Sequence, residues 1–411
     1  AHHDAINQTI VNINREWATQ ESVKTLVNYD SEFTEDQSLK IRLNNQHPAL
    51  VDIVQNKSEK NQRLGTTPIP FIENKAIDES LLEKILKTSR NQNHWANFGP
   101  AVEMLENAIH RLLALPGNRR AVSCKSATDA LMALIGMHEH NAGRRLNWVV
   151  CAFGFFSTRL GLLANAKVLD CDPNGTISLA ELKNLDPQEW DGAIVTNPFS
   201  LAENLSPIIE FAQSMGKKVI VDNAAAMFSG ERHHSEYPEE IISFHQTKPW
   251  GMGEGGCAIV STEAAPTIRS LTNYGVGLPN SAARYAQNSK MSDFDAALIL
   301  QRLVNLPNWQ PLYKLQKRRI MSVASPLGLN LIKPAPPEFL SAHVPLLSSR
   351  VIDKKELENP HLTLRKYYKP LATGLQNAQS IYDRIVCVPC HPGLANCPTR
   401  DLGQLLERFT K

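Results

Sequence analysis

Short runs of Val, Ile and other apolar residues alternate with helix-length segments through the middle of the chain. Strand-like runs fall at Arg120–Cys124, Trp148–Ala152, Lys167–Asp172, Ala193–Asn197, Lys218–Asp222, Ile241–His245 and Cys257–Ser261. Segments such as Ala127–His138, Phe155–Ala164 and Pro207–Met215 separate most of them and are long enough for helices. Near-continuous apolar strands between helices predict an α/β protein whose mainly parallel sheet is covered on both faces. Ligands of such sheets bind at the carboxyl ends of the strands, which directs attention to the residues just after each run.

Upstream, residues 1 to 65 are polar and rich in Asn, Gln, Glu and Lys, with helical patches around Ile10–Val27 and Pro48–Val54. They read as an extension to which the residues assign no role. From Thr66 the pattern changes. Pro68-Ile69-Pro70-Phe71 predicts an extended entry, Ile77–Leu86 an acid-started amphipathic helix, and Val102–Leu113 a second helix.

Composition narrows the class. With 42% hydrophobic and 20% charged residues and a formal net charge of +2, the chain is globular, and nothing in its charge calls for nucleic acid or an anionic membrane. No apolar run is long enough to cross a bilayer and Ala1-His2-His3-Asp4 shows no signal pattern, so the expectation is a soluble, cytoplasmic protein with a small-molecule partner. Seven cysteines, mostly inside apolar segments, predict reduced thiols. Cys387-Val388-Pro389-Cys390-His391 has the spacing of a haem attachment site and half that of a zinc knuckle. The lack of an export signal and of a full ligand set argues against both, and no metal is expected.

The richest chemistry lies in Ile241 to Gly256, where an apolar run delivers Lys248 into a turn containing Gly251, Gly253, Gly255 and Gly256. Glycines let backbone close up around a ligand. A lysine screened from water there would favour its free amine, the form that makes Schiff bases. Other strand ends add handles. Ser126-Ala127-Thr128 opens a helix whose free amides suit either a phosphate or an ordinary cap. Phe153-Gly154-Phe155-Phe156 offers aromatic faces for a planar ring or for the core. Asn197 ends one run as a ligand contact or a turn former. Asp222 ends another, and a carboxylate buried there requires a cationic partner.

Together these residues resemble the DegT/DnrJ/StrS family of pyridoxal-phosphate-dependent sugar aminotransferases, from Pro68 to the carboxyl terminus. Ser243-Phe244-His245-Gln246-Thr247-Lys248 with Glu254-Gly255-Gly256 is similar to that family's Ser-Phe-His-x-x-Lys-Asn and Glu-Gly-Gly. The resemblance implies fold type I, with a large cofactor-binding domain at 66–310 carrying a seven-stranded sheet and a smaller C-terminal α/β domain at 311–411. It implies that Lys248 carries the cofactor as a Schiff base and that Asp222 pairs with its ring nitrogen. Ser243 and the Ala127 and Thr128 amides would hold the phosphate, and Phe155 would stack on the ring. Asn288-Ser289-Lys290-Met291-Ser292-Asp293 is similar to the family's Asn-Tyr-Arg-Met-Ser-Asp, whose asparagine reaches the neighbouring subunit's phosphate. Asn288 therefore implies a homodimer with shared active sites. Val388-Pro389-Cys390-His391-Pro392 resembles the family's closing Leu-Pro-x-His-Pro.

Three departures stand out. Ala225 replaces a glutamine near the cofactor, Pro249 replaces the asparagine after the lysine, and Asn197-Pro198-Phe199-Ser200 replaces His-Leu-Tyr-Gly. Asn197 is expected to contact the cofactor hydroxyl and to compensate for Ala225. The implied function is transfer of an amino group from an amino acid, glutamate by family habit, to a nucleotide-linked keto-sugar. The alternatives are a sugar dehydratase, against which Lys248 argues, and a non-catalytic binding or regulatory protein.

Overall fold

The computed structural model describes residues 68–201, 204–228, 237–334 and 340–411. The polar extension and most of the loop before the sixth strand lie outside the described residues. Two helices come first, α1 (Glu79–Gln92) and α2 (Pro100–Leu112). The first begins two residues later than its apolar pattern, because the Asp78 carboxylate accepts the Leu81 N–H at 2.9 Å and caps it.

All seven strand-like runs form one sheet. Its strands are β1 (Arg119–Cys124), β2 (Trp148–Cys151), β3 (Lys167–Leu169), β4 (Gly192–Thr196), β5 (Lys218–Asp222), β6 (Glu239–Ser243) and β7 (Gly256–Ser261). They lie in the order β1-β7-β6-β5-β4-β2-β3. Only β7 runs against its neighbours, pairing antiparallel with β1 and β6. The alternation along each strand divides the core. Val122, Val150, Ile194, Ile220, Ile241 and Ala258 face one layer. Ala121, Val149, Val195, Val221, Ile242 and Cys257 face the other side. Helix α3 (Ala127–Ala142) fills the first layer and is buried from Ala130 to Glu139, as a helix pressed flat on a sheet must be.

The segment expected to form a helix from Phe155 to Ala164 does not. It makes two short 3₁₀ turns, Phe156–Arg159 and Gly161–Leu163. Leu160 is extended between them and Gly161 takes φ +51°, which breaks the ladder that the apolar spacing suggests.

After β7, helices α4 (Ala265–Thr272), α5 (Asp293–Val304) and α6 (Leu306–Ala324) lead to a three-stranded antiparallel sheet of β8 (Asn330–Leu331), β9 (His343–Leu347) and β10 (Ile385–Pro389). The closing helix α7 (Thr399–Glu407) packs on α6. One continuous apolar cluster, from Ile69 through Trp250 to Phe409, ties this smaller sheet to the larger one. The Met-Ser-Asp motif acts inside this core. Met291 is buried, the Ser292 hydroxyl caps α5, and the Asp293 carboxylate accepts the Ala101 and Val102 N–H groups at the start of α2.

No helix among the described residues is long and apolar enough to cross a membrane.

Candidate active site

The Lys248 turn is closed by its own backbone. Phe244 N–H donates to Gly255 O, Met252 N–H to Phe244 O, Lys248 N–H to His245 O and Gly251 N–H to Lys248 O, at 2.8–3.0 Å. The closure leaves no room at Gly251, where a Cβ would sit 2.2 Å from the His245 carbonyl oxygen. Buried Trp250 anchors the turn, donating its indole N–H to Ser243 O at 2.8 Å.

Part of Lys248 reaches the surface, yet its amine is enclosed, and burial lowers its pKa from the ordinary lysine value. The opposing influence is the carboxylate of Asp222, which is 4% exposed at the end of β5. Burial raises the Asp222 pKa, while the Ala224 N–H at 3.0 Å and the Lys248 charge draw it down. A buried carboxylate faces an amine that burial tends to neutralise, so the pocket has a place for one further cation.

The other expected residues gather at the same end of the sheet. Asn197 follows β4, donates its backbone N–H to Asp222 O at 3.0 Å and its side-chain amide to Asn223 Oδ1 at 3.2 Å. Ser243 ends β6 and its hydroxyl accepts the His245 N–H. Gly256, paired with Ser243, lies so close to α3 that a Cβ would approach Ala127 N within 2.2 Å. The Ala127 and Thr128 N–H groups, in the first turn of α3, carry no hydrogen bond among the described residues. Asn288 is exposed beside this helix start, because Lys125 N–H donates to Ser289 O at 2.7 Å. Phe155 is 43% exposed and packs on Phe156, with ring centroids 4.1 Å apart.

Two side chains that the sequence reading missed complete the pocket. Tyr368 lies near Asp222, whose charge joins burial in raising the phenol pKa. Its ring stacks on Phe199 at 4.9 Å and meets Phe153 edge-on at 5.5 Å. His343, on β9, stands near Lys248 among Phe71, Phe199 and Tyr367. Both its ring nitrogens are buried without a partner, and burial with the Lys248 and Arg365 charges pushes its pKa down to about 3. A histidine in the apolar run Leu340–Leu347 was the available signal; nothing in the sequence singles out Tyr368.

The apparent haem motif is absorbed by the fold. Cys387 and Cys390 are buried thiols with pKa values pushed up to about 12 by burial. His391 bonds Pro70 O through Nε2 at 2.8 Å and accepts the Gly393 N–H at Nδ1.

The family model of the DegT/DnrJ/EryC1/StrS aminotransferase family matches residues 75–323, which contain Lys248, Asp222 and the strand ends around them. The chain belongs to this family. Its sheet is that of the fold type I enzymes, and pyridoxal phosphate is the family's cofactor. A Mycobacterium bovis protein, Mb3436c, is 32% identical over 253 residues, which is 58% of this chain and 60% of that protein's length. Among solved structures, a DegT DnrJ EryC1 StrS aminotransferase from Brucella abortus superposes with a TM-score of 0.65 at 22% identity, covering 80% of this chain and 95% of its own. NtdA from Bacillus subtilis, with bound cofactor PMP, gives 0.69 at 18% identity and covers 94% and 96% of the two chains.

The pocket fits that cofactor. Two unpaired amides at a helix start suit a phosphate, a buried carboxylate suits a protonated ring nitrogen, and a desolvated amine suits a carbonyl carbon.

Proposed function

We propose that the protein transfers an amino group from an amino acid, glutamate in this reading, to a keto-sugar acceptor carried on a nucleotide. The observation that carries the reading is the buried pair of Lys248 and Asp222 at neighbouring strand ends, inside the segment that matches the aminotransferase family. DesI, solved in the presence of its TDP-sugar product, shares the fold with a TM-score of 0.66 and supports the choice of acceptor.

When bound, pyridoxal phosphate supplies a carbonyl for the incoming amine and a conjugated ring that withdraws electrons. The protein's part is to bind, orient and move protons. The Ala127 and Thr128 N–H groups and the Ser243 hydroxyl hold the phosphate. Asp222 keeps the ring nitrogen protonated. Asn197 takes the ring hydroxyl, and Phe155 covers the ring. Lys248 Nζ, favoured as the free base by burial, would be the attachment point and, once released, the base that takes a proton from the substrate carbon and delivers it to the cofactor carbon that had carried the lysine. His343, neutral and with both nitrogens unpaired, is placed to donate to or accept from a substrate oxygen. Exposed Asn288 completes the phosphate site of a second copy in a homodimer.

The test is the absorption spectrum of the purified protein with pyridoxal phosphate, before and after borohydride, followed by peptide mass mapping. A violet-region band fixed by reduction as an adduct on Lys248, and discharged by an amino-acid donor, supports the reading. No band and no adduct at excess cofactor would turn attention to the non-catalytic alternative.

A further inference from the structure

The carbonyls of the Lys248 turn point to a residue that the proposed chemistry does not use. Lys75 reaches from the segment ahead of α1, and its amine donates to Gln246 O at 2.8 Å, Lys248 O at 2.5 Å and Gly251 O at 2.5 Å. Three carbonyl dipoles converging on one point repel one another unless a cation sits between them. An ammonium supplies three N–H donors, one for each.

A second cation flanks the first. Arg302, on α5, donates its Nε–H to Pro249 O at 2.7 Å and pairs with Glu73 at 2.5 Å. Pro249, which departs from the family's asparagine, is thus held by the carbonyl that a proline keeps. Glu73 also accepts the Tyr313 hydroxyl at 2.9 Å. Glu73, Arg302 and His391 are the titratable groups whose charges couple to Lys75. Burial and Arg302 bring its pKa down to about 7, with Glu73 opposing them, so the three-donor ammonium that satisfies all three carbonyls is the form that prevails below neutral pH. Outward carbonyls of residues 246, 248, 249 and 251 are therefore all tied, and all to side chains distant in sequence.

We propose that Lys75 is a positioning residue for Lys248, its ammonium gathering the carbonyls of Gln246, Lys248 and Gly251 and so fixing the direction in which the reactive side chain leaves its turn. The inference rests on Lys248 being the cofactor-bearing residue. Its logic is geometric: a lysine that must meet a carbonyl carbon and later a substrate carbon tolerates little displacement, and about 1 Å of misplacement costs on the order of 100-fold in rate. Lys75 touches only the backbone of that residue and does no proton transfer itself.

The experiment compares wild type, Lys75→Met, Lys75→Gln and Lys75→Arg as full chains loaded with pyridoxal phosphate. The first readout is the fraction of bound cofactor linked to Lys248, from borohydride reduction and mass mapping. The second is the rate of the half-reaction with glutamate, and the third is the melting temperature. The phosphate site is untouched, so Lys75→Met is expected to bind cofactor but link it several-fold less completely and to react about 100-fold more slowly. Lys75→Gln, with two donors, should fall between, and Lys75→Arg should recover most of the linkage. A folded Lys75→Met or Lys75→Gln protein with full linkage and native rate would overturn the proposal, as would a lowered melting temperature alone. If Lys75→Met does not fold, the Gln and Arg variants decide between the same outcomes. Absence of any Lys248 adduct in wild type would instead strike the function proposed above.

Discussion

Asp222 and Lys248 each oppose what burial does to the other: the carboxylate raises the amine's pKa and the ammonium lowers the carboxyl's, while desolvation pushes both toward neutrality. The pair therefore sets how much free amine is present at a given pH. Asp222→Asn removes the one influence that favours the ammonium, so the Lys248 pKa should fall and the acid limb of adduct formation should move to lower pH. The same change removes the partner proposed for the ring nitrogen. Loss of such a preorganised charge costs about 100-fold or more, and the half-reaction with glutamate should slow accordingly. Stopped-flow spectra across the neutral range read both effects; an unaltered rate would show that Asp222 does not partner the ring.

Most of this site was legible in the sequence because it depends on strand ends. Val219-Ile220-Val221 announces a buried strand, so Asp222 had to lie at its carboxyl end, and the same holds for Asn197 and Ser243. Lys75 and Tyr368 were not legible. Their partners lie far away along the chain, as in the 173-residue separation between Lys75 and Lys248, and no local spacing encodes a convergence of carbonyls. The helix expected at Phe155–Ala164 failed for a local reason, since apolar spacing alone does not reveal that Gly161 adopts positive φ. The Asn288–Asp293 motif divides: its first residue is exposed beside α3, while Met291, Ser292 and Asp293 serve the architecture.

His343 makes stability depend on pH. Its folded pKa of about 3 lies below the ordinary 6.5, so between those values the unfolded chain binds a proton that the folded chain does not. Its contribution is fully present above pH 6.5 and is lost as pH falls toward 3, by at most about 1.4 kcal/mol for each pH unit. His343→Phe, which suits the surrounding Phe71, Phe199 and Tyr367 rings, should flatten this part of the profile. Urea unfolding of both proteins at mildly acidic and neutral pH measures the difference, and parallel losses would assign the acid sensitivity to other groups.

Asp293 should matter for stability. Its carboxylate is fully buried, accepts the Ser89 hydroxyl at 2.5 Å and takes two N–H groups at the start of α2. Asp293→Ala strands those donors and should destabilise the fold by about 2–3 kcal/mol, more than an exposed cap would. Gly99→Ala attacks the same contact from the other side, placing a methyl 2.6 Å from Asp293 Oδ1. Both variants should lower the urea midpoint while the folded fraction keeps its cofactor spectrum. A spectral change in folded Asp293→Ala would give the motif a direct role in the site.

Asn197 is the remaining question, because Ala225 leaves a short side chain where the family places a glutamine. Ala225 lies in the turn after Asp222, and Asn197 is bound to the backbone of that same aspartate, so the two positions border one site. The Asn197 amide also donates to Asn223, whose own amide donates to Glu240 at 2.6 Å, which orients it from behind. If Asn197 takes the ring hydroxyl, Asn197→Ala should shift the absorption band and slow the half-reaction by about 10-fold, the worth of one hydrogen bond near a charged group. Asn223→Ala separates the two roles: it removes the support but leaves the contact, and should lower stability with a smaller spectral change. An Asn197→Ala protein with native band position and native rate would mean that the missing glutamine is not compensated from this side of the pocket.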